Sequence, residues 1–145
     1  MINAIKAVKA PRTVALRMPM LAVSGVLAGL FMTFPTYIGA VLQWLVYIPA
    51  AWVLFSLARD VDGARRVYLR AYRYGFFFFM AEYLVNYHWF FSFYPLDFTG
   101  MSRASAAVVV AVAWIGLSIL ASVAGGAVFL LFVAAARGRA AKDAP

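Results

Sequence analysis

Long apolar runs separated by short polar segments dominate the chain. No charged residue occurs from Met18 to Ala58. As one helix that run would be about 60 Å long, twice the ~30 Å hydrocarbon core of a bilayer. It must therefore turn back, and Phe34-Pro35-Thr36-Tyr37 is the natural place, because proline has no N–H to continue a helix. The pattern predicts span one over residues 18–34 and span two over 38–58. A third apolar run extends from Tyr74 to Tyr94 and stops at Pro95. The polar turn from Leu96 to Arg103 follows it. The fourth run, Ala104 to Ala136, is about 50 Å as a helix, more than one crossing and less than two. It reads as a single long or bent helix with its span over 104–134, and Gly116 or Gly125-Gly126 are the places for a bend. The expected fold is an all-α integral membrane bundle of about four transmembrane helices. Residues 1–17 form a basic tail, 18–136 the membrane domain and 137–145 a second basic tail.

Composition agrees with this reading. Of the 145 residues, 66% are hydrophobic and 12% charged, about half the charged share of a soluble domain. The basic residues set the orientation. Lys6, Lys9, Arg12 and Arg17 precede span one; Arg59, Arg65, Arg66, Arg70 and Arg73 lie between spans two and three; Arg137, Arg139 and Lys142 follow span four. Only Arg103 lies on the other side. The positive-inside rule then predicts that both termini are cytoplasmic, with Tyr37, Trp44, Trp89 and Tyr94 toward the outer interface. The apolar start continues through Pro35 into a second span, so it reads as an uncleaved signal-anchor and not as a cleaved signal peptide.

The net charge is +8. Because the charge flanks apolar runs and forms no separate basic domain, no nucleic-acid partner is expected. With no cysteine and a single histidine, His88, the chain offers no thiolate nucleophile and no clustered metal ligands, and no cofactor or metal is expected.

Few residues remain as candidates for function. Glu82 is about 12 Å into span three, and a carboxyl group at that depth must face the protein interior or water. Asn86 lies four residues on along the same face, and Trp89 extends that face by a turn. His88 is rotated about 120° from Glu82, so the two are no acid–base pair on this helix. Glu82, Asn86, His88 and Trp89 are the candidate wall of a lipid or substrate cavity, with Glu82 also a candidate protonatable group. The alternative is a protonated Glu82 hydrogen-bonded to Asn86 or to a facing span. Gly25 and Gly29 form a GxxxG pair, and Ser118, Ser122 and Gly126 make a ridge of small residues. Both patterns fit helix packing, within the bundle or between chains.

The span pattern resembles the N-terminal membrane region of apolipoprotein N-acyltransferases, bacterial enzymes that add an amide-linked acyl chain to lipoproteins. Phe34-Pro35 ends span one and Pro49 lies in the next span. Tyr74-Gly75-Phe76 opens span three, which carries His88-Trp89, and aromatics lead to a turn with Gly100. The stretch Tyr87-His88-Trp89-Phe90-Phe91-Ser92-Phe93-Tyr94-Pro95-Leu96-Asp97-Phe98 is the most similar part. The resemblance covers about residues 18–134. It implies a multi-pass protein of the bacterial inner membrane with phospholipid as its partner. Members of that family carry further spans and a nitrilase-like domain whose Glu-Lys-Cys triad forms a thioester acyl-enzyme. These 145 residues contain no cysteine, so the chain alone is expected to be inert, a lipid-presenting or anchoring part beside a nitrilase-like catalytic partner. Glu82 and Asn86 also depart from the small or apolar residues more usual there. The alternatives are a small non-enzymatic subunit packed against other membrane subunits and, ranked last because four spans are few for a transporter, a transport role centred on Glu82.

Overall fold

The computed structural model describes residues 11–33, 37–60, 62–96 and 99–142. The expected turn at Pro35, Lys6 and Lys9 lie outside these residues. The described residues form helices and turns with no strand. The helices are α1 (Pro11–Thr33), α2 (Tyr37–Val46), α3 (Ile48–Ala58), α4 (Ala64–Asn86), a 3₁₀ segment (Tyr87–Phe93) and α5 (Arg103–Lys142).

Three stretches are long and apolar enough to cross a membrane: Leu16–Thr33 in α1, Gly39–Ala58 through α2 and α3, and Arg103–Arg139 in α5. Helix α4 differs because Arg65, Arg66, Arg70 and Arg73 occupy its first half. Its apolar part begins at Tyr74 and continues into the 3₁₀ segment. Aromatic rings four residues apart stack along this helix: Phe79 on Tyr83 at 6.0 Å and Tyr83 on Tyr87 at 5.2 Å. The chain then leaves the helix at Tyr94-Pro95, a cis peptide, and Leu96 and Gly100 adopt positive φ in the turn toward α5.

The run expected as one second span is two helices. Tyr47 separates them and Pro49 is in the first turn of α3. Without an N–H, Pro49 cannot bond the carbonyl four residues back, so the helix restarts there. Helix α5, by contrast, runs uninterrupted through Gly116, Gly125 and Gly126.

Helix α4 is the centre of the bundle. It packs along both α1 and α5, while α3 touches α1, α4 and α5, and α2 rests on α1. Helices α1 and α4 run parallel: Gly25 faces Phe78 and Gly29 faces Glu82 and Val85. Helix α5 is antiparallel to α4, with Gly126 against Tyr72 and Gly125 against Phe79. At the far end Trp114 packs on Phe91 at 5.0 Å. The buried core gathers Leu21 and Ala28 from α1 and Val53 and Leu57 from α3. Val67, Ala71 and Phe78 join them from α4, and Phe129 and Val133 from α5.

The glycines explain these contacts. Lipid tails are as apolar as leucine, so membrane helices associate by close van der Waals packing and not by escaping water. A Cβ at Gly25 would collide with the carbonyl oxygen of Phe78, and one at Gly29 with the carbonyl oxygen of Glu82. Bare Cα atoms there let the two backbones meet.

Candidate functional site

Glu82 sits where α1, α3 and α4 converge, with 2% of its surface exposed. Its backbone lies against Gly29 of α1, as above, and its side chain reaches toward the break between α2 and α3. There the Tyr47 hydroxyl donates to Glu82 Oε1 at 2.8 Å. The second carboxyl oxygen, Oε2, is buried without a hydrogen-bond partner. The Tyr47 ring also packs on Phe78 at 5.5 Å, which fixes its approach. Gln43, Trp44 and Tyr47 together line a hollow of about 270 Å³ beside this pair.

The four expected wall residues do not share one cavity. Asn86 is half-buried at the end of α4. His88 is exposed, and its Nδ1 lies 2.8 Å from the Val85 carbonyl oxygen. A carbonyl only accepts, so that nitrogen carries the hydrogen and donates. Trp89 stacks on Phe90 at 4.4 Å and faces outward. The partner of Glu82 therefore comes from a facing span and not from Asn86. Sequence reasoning passed over Tyr47, which is 35 positions from Glu82. A usable signal existed: Gln43 and Tyr47 are polar groups four apart in the mostly apolar first half of the span, just before Pro49.

The ridge residues of α5 face α4. Ser122 points at Met80 Sδ at 3.6 Å and also donates to the Ser118 carbonyl, while Ser118 donates to the Trp114 carbonyl at 2.8 Å. Trp114 Nε1 in turn donates to the Leu84 carbonyl at 3.0 Å, a second cross-helix polar contact.

Two further features frame the site. Between α1 and α4 two apolar hollows lie in line as an interrupted groove. One part, about 370 Å³, is lined by Met18, Pro19, Ala22, Phe77, Met80, Ala81 and Leu84. The next part, about 380 Å³, is lined by Leu30, Thr33, Leu84, Val85 and His88. Leu84 belongs to both, so they follow one another along the helices. At the opposite end from His88, Arg70 bridges Asp60 at 3.3 Å and Asp62 at 2.8 Å. Arg137 of α5 donates to the Asp60 carbonyl at 2.6 Å. These contacts tie the α3–α4 turn to α4 and to the end of α5. Among the described residues, no three of His, Asp or Glu come together as a metal site.

Compared with known proteins, the chain matches no family model, no curated protein sequence and no solved structure.

Proposed function

We propose that this chain is a four-span module of the bacterial inner membrane, with both termini cytoplasmic, that presents phospholipid acyl chains and anchors a catalytic partner. This is the role that the resemblance to apolipoprotein N-acyltransferases implies. The α1–α4 groove is the observation that carries it. Its two parts lie along α1 between Met18 and Thr33, within a length of roughly 22 Å, most of the hydrocarbon core. It is apolar along its length and reaches Thr33 and His88 only at one end. An extended hydrocarbon chain fits a furrow of that shape and polarity, with its headgroup at the polar end. The topology draws support from the ion-paired cluster at Asp60, Asp62, Arg70 and Arg137. It gathers the α3–α4 turn and the end of α5 on one side, leaving Arg103 at the other.

A photo-crosslinking residue at Ala22, in the groove, tests the reading against one at Val128, which is exposed on α5. Cross-links from Ala22 to phospholipid tails should exceed those from Val128, which samples bulk lipid. Equal yields would remove the groove as a lipid site. With no native cysteine, single cysteines at Gly63 and Gly100 report orientation. An impermeant reagent should label position 100 and spare 63 in intact cells, and labelling of 63 would overturn the topology.

A second reading, a small structural subunit of a membrane complex, rests on α2 and α3. Tyr37, Trp44 and Trp52 are 96%, 79% and 53% exposed there, large rings of which Trp52 is met by Arg17 of α1. Cross-links from Trp44 to another polypeptide, with none to lipid at Ala22, would favour it.

A further inference from the structure

We infer that Glu82 and Tyr47 form a proton-binding site in the membrane interior, reached by water through the break between α2 and α3. The site uses none of the residues lining the lipid groove, so it stands or falls separately from the proposed lipid role.

The reasoning begins with the unpartnered oxygen. Glu82 is almost wholly buried and receives one hydrogen bond, from Tyr47, while Oε2 has none. An ionised carboxylate there lacks donors, and a neutral one holds on Oε2 a hydrogen without an acceptor. Water is the one small group that satisfies both states, donating to the first and accepting from the second.

The fold supplies a route for it. Pro49 breaks the second span, and irregular backbone at membrane depth is tolerated where it is buried in protein or lines a wet cavity. The hollow beside the break, about 270 Å³, is lined by Gln43, Trp44 and Tyr47. That is room for several waters at ~30 Å³ each. Tyr47 belongs to both the hollow and the hydrogen bond, so its side chain connects the opening to the carboxyl group. Intramembrane carboxyls beside polar walls are the usual way stations of protons. The exchange is simple: a hydronium ion in the hollow gives its proton to the Glu82 carboxylate and leaves water, and the reverse step returns it.

The electrostatic surroundings leave Glu82 the only acid in the region. Tyr47 from the α2–α3 junction and Tyr83 on α4 are the titratable groups beside it. Helix α1 offers Gly25, Ala28 and Gly29 at this level, which carry none, and α5 has no titratable residue between Arg103 and Arg137.

Glu82 is also the only glutamate in the sequence, so glutamate labelled with a heavy carboxyl carbon marks this group alone. The full chain in lipid nanodiscs is stepped in pH while infrared and NMR signals of the label are followed. The label should move reversibly between its protonated and ionised positions, and transfer to deuterated water should exchange its proton rapidly. Gln43→Leu, which leaves the Tyr47–Glu82 hydrogen bond intact, should abolish the fast exchange phase; Tyr47→Phe should do the same. A label that stays in one state across the whole pH range in which the protein remains folded would overturn the site. Fast exchange that survives Gln43→Leu would overturn the route. If Tyr47→Phe fails to fold, the wild-type titration and Gln43→Leu decide the matter.

Discussion

Helix α4 has two kinds of neighbour. Toward α1 and α5 it meets glycine: Gly25 and Gly29 on one side, Gly125 and Gly126 on the other. Toward the α2–α3 junction it meets a tyrosine hydroxyl through a buried carboxyl group. The α1 glycines put backbone against backbone, those of α5 lie against the Phe79 and Tyr72 side chains, and both leave little room for an added atom. The second spans a gap with two long side chains and leaves one oxygen unpartnered. Apolar helices in lipid gain much of their association by approaching closely, so the glycine contacts hold the bundle together. The Tyr47–Glu82 contact adds little to cohesion and places chemistry where α2 and α3 break.

The largest effects should follow from filling the glycine contacts. Gly25→Ala and Gly29→Ala each put a methyl group against the backbone of α4, which cannot swing aside as a side chain can. Each change should destabilise the bundle by about 1–3 kcal/mol, the usual range for overpacking. Unfolding in mixed micelles, followed by near-ultraviolet circular dichroism, measures this. Unchanged midpoints for both would mean that α1 does not sit on α4 as described.

The polar contact should be worth less. Glu82→Ala should cost on the order of 1 kcal/mol, in keeping with measured hydrogen bonds between membrane helices. Glu82→Gln keeps an acceptor for Tyr47 and should fold close to wild type, while removing the labelled titration described above. A double-mutant cycle with Tyr47→Phe should return a coupling of about 0.6–1.7 kcal/mol. A coupling near zero would show that the two groups do not pair.

The difference between these contacts also separates what the sequence revealed from what it hid. Charge-free runs bounded by arginine located the helices of α1 and α5, because hydropathy depends on local composition. The break at Tyr47 was missed although Pro49 stood in plain view, since an apolar span through a proline and one stopped by it have the same hydropathy. The aromatic run from Tyr87 to Phe93 likewise gives no sign that it is wound as a 3₁₀ segment. The central place of α4 was not legible either. From Tyr74 to Ala81 it is apolar on every side, and a stretch without a polar face gives no direction for its neighbours. Depth singled out Glu82, but its partner is distant in sequence, and i to i+4 spacing could suggest only Asn86.

A smaller effect is expected at the arginine end. Arg70 bridges Asp60 and Asp62 with a side chain that is 36% exposed, so solvent screens the pair. Arg70→Gln should cost about 0.5–1 kcal/mol at low ionic strength, and the gap from wild type should narrow as salt is added. The same unfolding assay at two salt concentrations reads this directly. A cost that is large and indifferent to salt would point to a buried network and would move this end of α4 into the class of the glycine contacts.

The smallest effect should come from Gly116. It lies in α5 like Gly125, yet a Cβ there would meet nothing within 4 Å, whereas one at Gly125 would collide with the Phe79 ring. That ring is held edge-on to Phe78 at 5.1 Å and to Phe129 at 5.8 Å, so it has little room to turn away. Gly116→Ala should therefore leave stability unchanged or raise it by at most about 1 kcal/mol, since alanine is the better helix former. Gly125→Ala should lower it through the overpacking seen at Gly25. The two substitutions remove the same backbone freedom from the same helix, so helix propensity cancels between them. What remains is the contact with α4. If both variants shift the midpoint equally, the glycines of α5 serve its own conformation and not its packing, and only the glycines of α1 pack on α4.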